Sequence, residues 1–149
     1  YGVMHRNTFI NAPSLLDSNL RFRPEIGARW SVPVHVAGQL AGTEGYCEAI
    51  RSGLHAALAV AAELSDEKPL PLPKDTAFGA LMCYATDPQT TGYQPMHVNF
   101  GIMRPLDERI RNKRERYAAY ARRGAEALAG YCCQLRQCGL LPAEKGGER

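Results

Sequence analysis

A glycine-punctuated turn near residue 40 carries the residue pattern best suited to binding a ligand. The run Val34–Gly53 reads VHVAGQLAGTEGYCEAIRSG, in which an apolar, strand-like stretch meets Gly38, Gly42 and Gly45 and then an alanine-rich helix. Glycines let the backbone approach a ligand closely, and a helix that starts there directs free N–H groups and its positive dipole end toward it. The spacing is neither GxGxxG nor a P-loop. By itself it indicates a turn that could hold an anion or the polar edge of a ring.

The four histidines differ in how well they suit chemistry. His35 falls in a buried-looking strand and His55 on a helix, so a structural role is expected for both, while His97 is ambiguous. His5 follows Met4 in a strand-like run with several polar residues in succession, which is unusual for a core strand. Cys47 lies near a helix start, where a thiolate would be stabilised, but we expect it to be a small buried residue. No Ser-His-Asp or Cys-His pairing follows from the spacing.

A basic window lies near the end of the chain. Residues 104–123 hold eight Lys or Arg against three acidic residues, a net +5 in a chain of net +3. Such a run is usually a solvated helix face, but it can also bind an acidic partner. If Ile110 marks the centre of the apolar face of a helix here, Lys113 and Arg114 lie at about −60° and +40° around the helix axis from that centre, at 100° per residue. Charged residues are unusual on an apolar face. Either the first turn of the helix projects beyond the rest of the domain, or the two side chains contact a partner.

The motif QPMHVNFG at residues 94–101 lies beside that basic window. Its Met and Phe could stack on bases while the neighbouring cations contact phosphates, as RNA-binding loops require. A role in the core and in a turn fits the same residues equally well.

Composition excludes several classes of protein. The five cysteines form no CxxC pair, so no metal site and no disulfide framework is predicted, and unpatterned cysteines fit a reducing cytoplasm. No apolar run is long enough to cross a membrane and no signal peptide is visible. The chain begins with Tyr in a strand-like run, so we expect it to be a piece of a longer protein.

Periodicity and breakers predict the elements that position these residues. Two strands and three helices are expected, with a proline-rich connector over 68–75 as the internal boundary. The strands are Tyr1–Ile10 and Trp30–Gly38, and the helices run from about Gly45 to Leu64, Thr76 to Thr86 and Leu106 to Gln137. The first long helix has an apolar stripe of mostly small residues, suited to lying close on a sheet.

Four blocks of sequence in order resemble one known family. YGVMHRNTFINAP, VAGQLAGTEGYCEAIRSGL, TAFGALMCYATD and YQPMHVNFGIM with the later RNKRERYAAYARRG are similar to the C-terminal part of TrmFO, the bacterial folate- and FAD-dependent tRNA (uracil-5-)-methyltransferases. The MnmG (GidA) wobble-uridine modification enzymes share only the glycine-turn block and are the alternative.

The resemblance implies an α/β fragment: the C-terminal part of a glutathione-reductase-type FAD-binding fold, followed by a mainly helical segment. Residues 1–67 would belong to the FAD- and folate-site domain, 68–75 to the connector, 76–141 to the helical segment with the basic helix, and 142–149 to a disordered tail. In that family methylenetetrahydrofolate supplies the one-carbon unit, FAD carries and reduces it, and NAD(P)H supplies electrons. The product is 5-methyluridine at position 54 in the T-loop of tRNA, made in the cytoplasm.

The resemblance also assigns roles to residues. Gly38 and Gln39 would lie by the ribityl and pyrophosphate part of FAD, and Gly45 and Tyr46 by the pyrimidine edge of the flavin. The family's histidine that stacks on the folate pterin matches His5, whereas at positions 35 and 97 the family usually has Phe and Asn. The basic pair of the family's C-terminal helix matches Lys113 and Arg114, which are assigned to the T-arm of tRNA with Arg111 and Arg116 as secondary contacts.

Two features of the family are absent from these residues. Its GxGxxG fingerprint and its nucleophilic cysteine lie before the matching region, so the dinucleotide-binding N-terminal half is an expected partner within the same protein. We therefore expect that the 149 residues alone neither hold FAD tightly nor methylate. A non-catalytic RNA-binding fragment is the second alternative.

Overall fold

Helices and the loops between them make up the described chain. The computed structural model describes residues 8–143, in which the α-helices are α1 Ala12–Leu15, α2 Pro24–Gly27, α3 Tyr46–Leu64, α4 Ala77–Thr86 and α5 Lys113–Gln137, with a 3-10 turn at Gly38–Ala41. The predicted helices at α3 and α4 are confirmed. Helices α1 and α2 are single turns, and each has a proline in its first turn, where the fixed φ of proline suits a helix.

Strand structure within residues 8–143 is limited to three isolated bridges, Leu16 with Phe22, Arg21 with His35, and Thr43 with Met96. The predicted strand Trp30–Gly38 is therefore wrong for this part of the chain: only His35 pairs there, Pro33 has no N–H to donate, and Val32 is 63% exposed. The predicted strand Tyr1–Ile10 lies mostly outside the described residues. Of the expected fold class, the mainly helical segment is confirmed.

The hydrophobic core surrounds α4. Its buried members come from both sides of the proline-rich connector, and they are Ala12, Leu16, Leu20, Ala41, Phe78, Leu81, Met82, Ala85 and Tyr93. Helix α4 carries apolar residues on nearly all of its faces, as expected of a helix that the core surrounds. Its first turn is closed by Thr76, whose Oγ1 accepts a hydrogen bond from Gly79 N at 3.0 Å. The boundary over 68–75 stays a prediction, and one core joins the segments on either side of it.

Helix α3 packs through a face of small and polar residues. Ser52, His55 and Ala59 are buried on that face, whereas Ile50 on the predicted apolar stripe is 71% exposed and Tyr46 is 92% exposed. The stripe was expected to lie on a sheet, and within residues 8–143 no sheet covers it. Hydrogen bonds that Ser52 and His55 make to the chain before α3 explain which face turns inward.

Helix α5 begins later than its apolar spacing predicts. It starts at Lys113 because Asn112 caps it, and Asn112 Oδ1 accepts hydrogen bonds from Arg114 N at 2.9 Å and Glu115 N at 3.3 Å. The predicted start at Leu106 is wrong, and Ile110 is not helical. Ile110 therefore cannot define the apolar face of this helix, but the side chains of Lys113 and Arg114 are both exposed in its first turn.

Candidate cofactor turn and nucleic-acid interface

The turn at Gly38 is held by hydrogen bonds with Ser52 of the helix that follows it and with Thr43 just before that helix. Gly38 has φ +70°, its N–H donates to Ser52 Oγ at 2.7 Å, and its carbonyl accepts from Thr43 Oγ1 at 2.8 Å. Ser52 and Thr43 are both fully buried. Since both backbone groups of Gly38 are used inside the fold, this residue shapes the turn and offers no free N–H to a ligand.

Gly42 and Gly45 make room for neighbouring side chains of the same chain. A Cβ at Gly42 would collide with the ring of Tyr93, whose hydroxyl would lie 3.1 Å away, and one at Gly45 would collide with the Glu48 carboxylate and lie 2.7 Å from His97 Nδ1. Both glycines also have left-handed backbone, at φ +82° and +101°. The space that a side chain would need at these two positions is therefore taken by protein atoms, and the role of Gly45 beside a flavin stays a prediction.

Hydrogen bonds join the motif at 94–101 to this turn. Thr43 and Met96 form a parallel bridge in which Met96 N donates to Gly42 O and Glu44 N donates to Met96 O, each at 3.2 Å. Glu48 Oε1, on a carboxylate that is largely buried, accepts from Val98 N at 3.2 Å. His97 Nδ1 lies 3.9 Å from the same oxygen, with its ring exposed. For Met96 the core-and-turn interpretation of the motif is thus confirmed.

The start of α3 is the open part of the turn. Gly45 is its N-cap and provides no side-chain acceptor for the first amides, and Gln39, Tyr46 and Cys47 are exposed around it. Free amides at the positive end of a 19-residue helix favour an anionic or polar group. These residues fit the pyrimidine edge of a flavin, which gathers negative charge on reduction. Cys47 is exposed, so the expectation that it is a buried residue is wrong.

His55 and His35 have structural surroundings. His55 is buried and its Nε2 donates to Ser18 O at 2.9 Å, and burial lowers its pKa below the ordinary value of 6.5. Burial also lowers the pKa of His35, opposed by the nearby Glu63 carboxylate, 3.8 Å from its Nε2. His5 lies outside the described residues, so its role in pterin stacking stays a prediction.

The four cations assigned to RNA lie together where α5 begins. Lys113, Arg114 and Arg111 are exposed, and no ion pair within residues 8–143 involves them. Arg116 is half-buried: its Nη1 donates to Ile110 O at 3.3 Å and its guanidinium lies over the ring of Tyr117. Arg111 and Arg116 line one hollow of about 580 Å³ formed with the loop 105–110. Three of the four can therefore reach a polyanion, and the fourth holds the loop against the helix.

Residues 8–143 contain neither a metal-binding cluster nor a membrane-spanning helix. No group of three or more His, Cys, Asp and Glu side chains is close enough to hold a metal ion. No helix in that range combines the length and the apolar content needed to cross a membrane.

Comparison with known proteins agrees with the four sequence blocks. Residues 1–68 match a family model described as glucose inhibited division protein A. The chain is 44% identical over 128 residues to a methylenetetrahydrofolate--tRNA-(uracil-5-)-methyltransferase TrmFO from Bacillus pumilus, covering 86% of this chain. It is 42% identical over 128 residues to the same-named protein of Pelotomaculum thermopropionicum and 45% identical over 132 residues to that of Desulforudis audaxviator. The resemblance to TrmFO is confirmed.

The chain spans 28–29% of the length of these TrmFO relatives. Sequence reasoning assigned no role to four residues that hold the turn: Thr43, Glu48, Ser52 and Tyr93. Nothing in the sequence marks Tyr93 as the residue that fills the space above Gly42. The capping of α5 did have a signal, since Asn112 is followed by Glu115 in the spacing of a capping box.

Proposed function

We propose that these residues form the C-terminal part of the active site of a methylenetetrahydrofolate- and FAD-dependent tRNA (uracil-5-)-methyltransferase. The observation that carries the proposal is the 42–45% identity to TrmFO proteins over 86–88% of the chain. The match includes the glycine turn and the basic helix start described above. In the complete protein we place this segment after a dinucleotide-binding half with a glutathione-reductase-type fold.

FAD would be held in part by the open end of α3. Gly45 and Tyr46 would face the pyrimidine edge of the flavin, with Gly38 and Gln39 beside its ribityl and pyrophosphate groups. When bound, FAD supplies the carrier and the reductant for the one-carbon unit of methylenetetrahydrofolate, and NAD(P)H would restore it. The residues of this chain act by position: Ser52 and Thr43 fix the turn, and Glu48 fixes the loop beside it. We further propose that His5 stacks on the folate pterin.

The polyanionic substrate would be tRNA, bound through the T-arm to Lys113 and Arg114 with Arg111 beside them. Their exposure and lack of ion-pair partners in residues 8–143 support this, because a cation already paired has less to gain from a phosphate. The expected product is 5-methyluridine at position 54. We place the reaction in the cytoplasm, where tRNA is modified.

The test is made on the complete protein that carries these 149 residues. Incubated with unmodified tRNA and methylenetetrahydrofolate labelled in its methylene carbon, it should give labelled 5-methyluridine. Labelling of a wobble uridine instead would favour the MnmG-type alternative, which the matched family model keeps open for residues 1–68. Absence of any labelled nucleoside from a flavin-loaded protein would contradict the proposal.

The residue assignments are tested separately. Replacing Lys113 and Arg114 together by Ala should weaken tRNA binding and lower the slope of log K against log salt by about 2, one per phosphate contact. Replacing Lys68 and Lys74, two exposed cations outside that helix, removes the same charge; this variant is the matched control and should leave the slope nearly unchanged. His5→Asn should impair folate-dependent turnover while flavin content stays normal. Loss of flavin instead would make His5 structural.

A further inference from the structure

An apolar cleft lies beside the basic helix start. It has a volume of about 570 Å³, within the range of roughly 300–1,000 Å³ that small-molecule sites occupy. It lies between α5 and the segment 98–103, and it is lined mainly by aromatic and small side chains, among them Val98, Phe100, Met103, Tyr117, Tyr120 and Leu128. Exposed apolar surface of this kind marks a binding site more often than a scattered exposed residue does.

Three aromatic rings form one wall of this cleft. Phe100 and Tyr117 stack with centroids 4.5 Å apart and planes within 4°, and Tyr120 tilts against Phe100 at 5.1 Å. Despite these contacts Phe100 is 47% exposed and Tyr117 is 39% exposed. Mutual stacking fixes both ring planes before any ligand arrives, so little side-chain entropy is lost when a further flat ring packs on them.

Cations surround the aromatic wall. Lys113 Nζ lies 5.6 Å from the centroid of Tyr117 and the Arg116 guanidinium 5.8 Å from it. Arg123 lies over Tyr120 but is already paired with the Asp75 carboxylate at 3.3 Å, so Lys113 is the cation of this group that is left for a phosphate. An apolar wall with a cationic rim is complementary to a flat base attached to a phosphate chain, and it is poorly complementary to a purely apolar protein segment.

Two polar side chains of the cleft, Asn99 and Thr76, already form hydrogen bonds within the fold. Asn99 Oδ1 accepts from Gly101 N at 2.9 Å, and Asn99 Nδ2 donates to His97 O at 3.2 Å. Thr76 Oγ1 donates to Pro73 O and accepts from Gly79 N. Recognition here would therefore come from stacking, which accepts any base, rather than from hydrogen bonds to base edges.

From this arrangement we propose that Phe100 and Tyr117 form a stacking platform for one unpaired nucleobase of the RNA substrate. The platform rests on the proposed function, because tRNA is the substrate considered, and it adds a contact that reads base planarity beside the phosphate contacts of Lys113 and Arg114. Phe100 follows Val98 by two residues, so its Cα lies within about 7 Å of the residue that Glu48 holds at the turn. The platform thus keeps a nucleotide close to the open end of α3.

The experiment measures the affinity of the complete protein for a T-arm hairpin RNA labelled with fluorescein, with Phe100→Leu and Tyr117→Leu as test variants. Each variant should weaken binding about tenfold, the loss expected for one stacked base, with an unchanged salt slope. Trp30→Leu is the matched control, since Trp30 is 43% exposed and lies outside this cleft; it should bind like the parent. Unchanged affinity in both test variants would overturn the platform.

A second measurement needs no variant. A hairpin with 2-aminopurine at each loop position in turn should show quenched fluorescence at one position when the parent protein binds, and an unquenched series would overturn the platform. If the parent binds RNA and responds to the Lys113 and Arg114 substitutions but not to Phe100→Leu, the platform fails while the proposed function stands. If the parent binds no RNA, both fail. If Phe100→Leu lowers thermal stability without changing RNA affinity, the ring serves packing and the platform is wrong. If 5-formyltetrahydrofolate alone binds the cleft, its occupant is not a nucleobase.

Discussion

Replacing Gly42 by Ala should destabilise the protein through a contact that the sequence does not reveal. Left-handed backbone costs a residue with a Cβ about 1–2 kcal/mol, and Gly42 has φ +82°. The added methyl would also collide with the Tyr93 ring. Tyr93 would have to move, and its hydroxyl would lose the 2.8 Å hydrogen bond to Gly42 O. Leaving that buried pair unmade costs about 1–3 kcal/mol, so the total loss should be about 2–5 kcal/mol.

Gly92→Ala is the matched control for this change. Gly92 has φ +63° and nothing lies within 4 Å of the position its Cβ would take, so only the backbone cost of about 1–2 kcal/mol applies. Urea denaturation followed by far-UV circular dichroism gives the free energy of unfolding of both variants. The difference between them isolates the contact with Tyr93.

A double-mutant cycle completes the test. In a Tyr93→Leu background the space above Gly42 is opened, so Gly42→Ala should cost only its backbone strain. Equal free energies of unfolding for Gly42→Ala and Gly92→Ala, or no coupling with Tyr93→Leu, would refute the conclusion that the glycine is there to admit Tyr93.

Three further outcomes follow from single residues. Because burial lowers the pKa of His55 below its unfolded value of 6.5, the protein should become less stable as the pH drops from about 7 toward 5. Thermal melts of His55→Gln should show a smaller loss of stability over this range. An equal loss in the variant would contradict the conclusion that His55 causes the pH dependence. Asn112→Ala should cost about 1 kcal/mol in urea denaturation and Asn112→Asp should restore most of it, whereas a neutral Asn112→Ala would mean that the cap is not formed. Leu81→Ala, at a fully buried core position, should cost about 2–5 kcal/mol, and a loss below about 1 kcal/mol would place Leu81 outside the core.

The helices were predictable where local signals agree with packing. Thr76 is both the cap and the residue before an apolar run, and α4 runs from the next residue to Thr86 as expected. Gly45, at φ +101°, marks the start of α3 by its backbone conformation and not by a capping side chain. Where the apolar spacing ran on without a breaker, as before α5, the capping side chain of Asn112 decided the boundary instead of the spacing.

The site was predictable only in part, because its parts meet through contacts distant in sequence. Val98 reaches Glu48 across 50 residues and Tyr93 reaches Gly42 across 51, and a single sequence has no periodicity that encodes such pairs. Tyr46 and the basic pair Lys113 and Arg114 are exposed, and their roles as contact residues stay predictions. The strand at Trp30–Gly38 was misjudged because apolar residues alone cannot show whether a neighbouring strand exists to pair with them.

The central claim is that this segment serves a folate-dependent uridine methyltransferase, and a chimera tests it most directly. The 128-residue segment of Bacillus pumilus TrmFO that is 44% identical to this chain is replaced by the corresponding residues of this chain, and flavin absorbance verifies that the hybrid is loaded. The chimera should form labelled 5-methyluridine in tRNA when it is supplied with labelled methylenetetrahydrofolate, and it should lose this product when Lys113 and Arg114 are replaced by Ala. A flavin-loaded chimera that binds tRNA but forms no 5-methyluridine would contradict the proposed function.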